Sequence, residues 1–77
     1  MRQTLLNIRQ RLNMSEMQMW AFEIFGPGAW EDIPGDTGSL KWANMVQKAE
    51  QQGLLEELAD AIQRRRSDID FDEYMEE

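Results

Sequence analysis

The chain has 77 residues, a mass of 9.1 kDa and a formal net charge of −7, with the 42% hydrophobic and 30% charged content of an ordinary globular domain. At this mass roughly 60% of the unfolded surface is buried on folding, enough for one small core and no second domain. With no Cys and no His, disulfide scaffolds, Cys/His zinc sites, thiol nucleophiles and imidazole mechanisms are excluded. No apolar run approaches the roughly 20 residues of a membrane span, and no hydrophobic segment follows the amino terminus as in a signal peptide. A cytoplasmic domain is the expectation.

Leu5, Ile8 and Leu12, with Leu6 beside them, predict an amphipathic helix over residues 2–12, with Arg2, Arg9 and Arg11 on its polar side. Ser15 is a candidate N-cap with Glu16 in the first turn of a second helix, 16–25. That segment is dense in Met17, Met19, Trp20, Ala21, Phe22, Ile24 and Phe25, so it should be the central helix of the fold. Gly26-Pro27-Gly28 stops it. Residues 29–33 suffice for one turn, in which Trp30 is expected to be partly exposed and available as an interface anchor. Thr37 or Ser39 can cap a helix over 40–52, and Gly53 is its expected C-cap. Leu54, Leu55, Leu58, Ala59, Ala61 and Ile62 pattern a last helix over 54–66. Short connections should make successive helices neighbours. The expected core contains Leu5, Ile8, Leu12, Trp20, Ile24, Val46, Leu55, Leu58 and Ile62, with Trp42 also assigned inside.

The charge is uneven. Residues 67–77 hold Asp68, Asp70, Asp72, Glu73, Glu76 and Glu77 and no base, so residues 1–66 carry nine acids against eight bases. A body of net charge −1 lacks the basic footprint of a nucleic-acid binder. Arg64-Arg65-Arg66 reads as a helix C-terminus whose cations offset the dipole. Asp68-x-Asp70-x-Asp72 opens like a calcium loop, but Glu73 stands where Gly is required and the twelfth position falls beyond Glu77. The acid–apolar alternation through Ile69 and Phe71 has no partner strand, and the tail reads as either disordered or a short terminal helix. Glu31-Asp32 and Glu56-Glu57 read as solvated helix charge, not as acid–base pairs. Neither catalysis, a cofactor, a metal nor a small-molecule substrate is expected.

The order of segments resembles that of the effector-associated domains, small bacterial helical domains related to the death-fold adaptors. A leucine-bearing helix precedes "SEMQMWAFEIFG", then "WEDIPGDTGSLKWANMV", in which an acidic pair and Ile33-Pro34-Gly35 lead into the next helix. "QKAEQQGLLEELADAI" follows and closes the pattern, which covers about residues 3–66. "GPGAW" departs from the family's usual loop, and the tail after Arg66 has no counterpart in it. The resemblance implies an all-α, death-fold-like bundle of five short helices, or six if the tail forms one. It also implies a non-catalytic adaptor in bacterial conflict signalling. Its partners would be other effector-associated or death-like domains, homotypic or heterotypic, and neither nucleic acid nor membrane.

The charge distribution suggests how such a domain could associate. Arg2, Arg9 and Arg11 on the first helix and Glu56, Glu57 and Asp60 on the last would dock copies head to tail, which builds open assemblies. Two other classes compete. A helix-turn-helix DNA reader needs bases on its second helix, and residues 16–25 hold none. A small stand-alone acidic helical inhibitor of an unrelated partner fits the same composition.

Overall fold

The computed structural model describes residues 1–74; Glu76 and Glu77 of the acidic tail lie outside them. Five α-helices are present: α1 (Arg2–Asn7), α2 (Met14–Phe25), α3 (Ala29–Asp32), α4 (Gly38–Gln51) and α5 (Leu55–Arg65). A 3-10 turn, Ile8–Arg11, continues α1, and a second, Phe71–Tyr74, follows α5. There is no strand among the described residues, and the fold is an all-α bundle.

The boundaries differ from the sequence reading in informative ways. The first helix tightens to 3-10 geometry after Asn7 and ends before Leu12, which is extended. Helix α2 begins two residues early because Asn13, and not Ser15, is its N-cap. Asn13 Oδ1 accepts the Glu16 N–H at 2.8 Å and Glu16 Oε1 accepts the Asn13 N–H at 3.2 Å, a reciprocal capping box. Thr37 caps α4, its Oγ1 accepting the Leu40 N–H at 3.2 Å. At the other end Gln52 is the cap and Gly53, at φ 72°, follows it. The Leu54 N–H bonds back to Ala49 O at 2.7 Å and the Gly53 N–H to Glu50 O at 3.2 Å, so the helix closes in a Schellman motif. Gly35 is required for a second reason. Its φ is 140°, and a Cβ there would lie 2.8 Å from the Lys41 backbone nitrogen.

Leu5, Ile8, Leu12, Trp20, Val46, Leu58 and Ile62 lie in the core, as the periodicity implies, with Trp42, Met17 and Met45 filling between them. Trp20 and Trp42 meet at a centroid distance of 6.3 Å and a tilt of 56°, an edge-to-face type of aromatic pair. Ile24 and Leu55, expected inside, are only partly buried at its edge. Trp30, expected to be partly exposed, is buried. Lys41 of α4 lies over it: its Nζ donates to Trp30 O at 2.7 Å and is 5.1 Å from the ring centroid, closing the indole over.

Successive helices are not all neighbours. The first helix packs on α4 and on the terminal 3-10 turn, and α2 packs on α3, α5 and α4. Trp42 sets the first contact, its indole N–H donating to Leu5 O at 2.9 Å across 37 residues of chain. The tail is part of this packing, since Ile69 and Phe71 are buried while Asp68, Asp70 and Asp72 remain exposed. A radius of gyration of 11.4 Å is what about 77 compactly folded residues should have, roughly 11.5 Å.

Two stability outcomes follow. Leu58→Ala should cost about 2–5 kcal/mol in urea denaturation, because Leu58 is fully buried. Asn13→Ala should cost about 0.5–2 kcal/mol and Ser15→Ala almost nothing, reversing the order that the expected cap would give.

Candidate interaction surfaces

The two halves of the expected charge pair are placed very differently. Glu56, Glu57 and Asp60 project from the outer face of α5, exposed and without an ion pair among the described residues. On the first helix, Arg2 Nη1 lies 3.6 Å from Glu50 Oε1. Arg9 is half-buried, and its Nε is shielded from solvent with no hydrogen-bond acceptor among the described residues. Arg11 Nη1 donates to Tyr74 Oη at 3.0 Å, and Nη2 lies 3.7 Å from Asp68 Oδ2. Its hydrogen bond to Tyr74 raises the Arg11 pKa further. Trp30, the expected anchor, is inside the bundle.

The most connected polar group is one the sequence reading treated as helix-end charge. Arg66 caps α5, and its Nη1 donates to Glu16 Oε1 and to Arg11 O, both at 2.9 Å. Its Nε and Nη2 donate to the two carboxylate oxygens of Asp68 at 3.0 and 3.1 Å, a bidentate pair. Glu16 is buried and also has Arg65 Nε at 3.6 Å. One guanidinium therefore joins α2, the turn after α1, the end of α5 and the tail. The Asp68 hydrogen bonds raise the Arg66 pKa against partial desolvation. Reciprocally, the Arg66 guanidinium holds the Asp68 carboxyl below its ordinary value.

Asp70 Oδ1 accepts the Asp72 N–H at 3.0 Å, closing a local turn. Among the described residues no group of three or more carboxylates is placed to hold a metal ion, and no helix is long and apolar enough to cross a membrane.

Among the described residues large apolar side chains are exposed at Met1, Met14, Met19, Phe22 and Leu40, and two of these stand together. Phe22 is 60% exposed and Met19 37%. Both border a shallow concavity of about 510 Å³ between α2 and α5, with Trp20 and Ala61 in its wall and Arg64 and Arg65 at its rim. The signal was present in α2: Met17, Trp20, Ala21 and Ile24 form one stripe, and Met19 and Phe22 fall outside it at i, i+3. A smaller concavity beside α4 has amides as half of its lining residues, and Asn44 there already donates to Pro34 O at 2.7 Å. Comparison of the chain with protein-family models, with curated proteins and with solved structures finds no match.

Two measurements check the Arg66 cluster. Arg66→Ala should lower the urea midpoint clearly, whereas Arg64→Ala, whose guanidinium is outside the cluster, should leave it nearly unchanged. Because the folded-state Asp68 pKa is depressed, its contribution to stability is complete above the unfolded value of about 3.9 and is lost as pH falls through the folded value. Asp68→Asn should therefore flatten the fall in stability below about pH 4.

Proposed function

We propose that this chain is a non-catalytic interaction module that associates like with like, bringing effectors together in the manner of an effector-associated domain. The observation that carries the reading is the outer face of α5: Glu56, Glu57 and Asp60 are exposed and, among the described residues, without an ion pair, on a body of nearly balanced charge. Exposed Phe22 beside it supplies the apolar contact that charge alone does not. Resemblance of the segment order to effector-associated domains supports the same reading, as does a sequence without His or Cys. A cytoplasmic setting, with bacterial defence signalling as the context, belongs to the proposal. The basic half assigned to α1 carries less of it, because engaging Arg2 or Arg11 means giving up an intrachain partner.

Single exposed charge pairs contribute about 0–1 kcal/mol, so association of two isolated domains should be weak and should strengthen when copies are linked. Sedimentation of the parent chain at about 0.1–1 mM should show reversible association at low salt. It should weaken as salt shortens the screening length to about 8 Å, and Glu56→Lys with Glu57→Lys should weaken it as well. A parent that stays monomeric at low salt throughout that range overturns the like-with-like reading and leaves a stand-alone inhibitor of an unrelated partner.

A further inference from the structure

We infer that the α2–α5 face docks a second copy of this chain with the two α5 helices antiparallel, giving a closed pair in place of an open head-to-tail chain. The inference rests on the like-with-like reading and assigns its surface and stoichiometry. Along α5 the outer face runs from acid to base. Glu56, Asp60 and Arg64 follow at i, i+4, i+8, with Glu57 beside them, so all four share one stripe. Glu57 and Arg64 are seven residues apart, about 10.5 Å along the axis. A stripe that is acidic at one end and basic at the other is its own complement when reversed. With a twofold axis between Asp60 and Ala61, Glu57 of each copy faces Arg64 of the other, and Glu56 lies beside that pair.

The apolar part of the same face needs cover. Phe22 and Met19 stand next to Arg64, and the concavity they border includes Trp20, whose buried indole N–H has no acceptor among the described residues. Arg64 can change partner: among the described residues its ion pair is a long one, 3.7 Å to Glu23, with 69% of the Arg64 side chain exposed. Arg65 is tied to buried Glu16 and stays with it. The expected open assembly requires acid and base on faces that point apart, and on α5 they share one. A shared patch makes an isologous contact, which closes after two copies.

The twofold arrangement has one unfavourable contact, and this separates it from every head-to-tail alternative. Asp60 meets its own copy at the axis. Neutralising that acid should tighten the pair, whereas in any acid-to-base docking between different faces it would loosen it. Weak, transient pairs bury less than about 1,200 Å², and for a contact of this kind dissociation constants of about 0.1–1 mM are expected.

The experiment is sedimentation equilibrium of the full 77-residue chain at low salt, with circular dichroism confirming that each variant is folded; all the positions changed are exposed. The parent should fit a monomer–dimer equilibrium with no larger species. Phe22→Ser, Arg64→Glu, and the double variant Glu56→Lys with Glu57→Lys should each weaken it about tenfold or more. An equimolar mixture of the two charge variants should regain the dimer, and Asp60→Asn should strengthen it at least twofold. Association that grows beyond two copies, or that Asp60→Asn weakens, overturns the closed pair. Association that Phe22→Ser and both charge variants leave intact overturns this surface while the like-with-like reading stands. No association of the parent overturns both.

Discussion

A buried carboxylate and the guanidinium that meets it organise this bundle. Glu16 has two roles at once: it completes the capping box with Asn13 and accepts from Arg66 at 2.9 Å. A carboxylate taken out of water must be paired and hydrogen-bonded, or the cost is several kcal/mol. That requirement pins the start of α2 to the end of α5. The remaining donors of Arg66 are then aimed at Arg11 O and at Asp68, so the same group sets where the first segment ends and where the tail begins.

The tail gains its place from that anchor. Asp68 is clamped, Ile69 and Phe71 turn inward, and Tyr74 completes the path by accepting from Arg11 at its hydroxyl and from Asn7 Nδ2 at its backbone carbonyl. The acidic residues between them face water. An acid–apolar alternation with no partner strand is thereby accommodated without a sheet, because Ile69 and Phe71 are buried in the core and the terminal 3-10 turn packs on α1. Arg11 is used in this closure, which engages within the chain one of the cations that composition alone would assign to a partner.

What remains outward is set by the same geometry. With Glu16 and Arg66 drawn together, α2 and α5 lie side by side, their inner stripes in the core and their outer edges forming the shallow concavity. Met19 and Phe22 are left on that edge by helix rotation: Trp20 and Ala21 are fully buried, and the residue before and the residue after them point away. The exposed apolar residues and the acid-to-base stripe of α5 are thus consequences of how two helices are held, not separate features.

Local patterns in the chain determined the all-α class, the helical segments and most of the core, since Leu5, Ile8, Trp20, Val46, Leu58 and Ile62 lie inside where their spacing puts them. Spacing and glycine placement act within a few residues, so they are legible without the fold. Helix starts were less so, because Asn13 and Ser15 are both competent caps and the choice fell to the residue whose capping partner, Glu16, was itself held by Arg66. The fate of each charge was decided only by the tertiary structure. Arg66 and Glu16 are 50 residues apart, Arg11 and Tyr74 63 apart, and Arg2 and Glu50 lie on different helices. No periodicity encodes which cation finds an internal carboxylate and which stays in water, because that depends on where the packed helices bring their ends together.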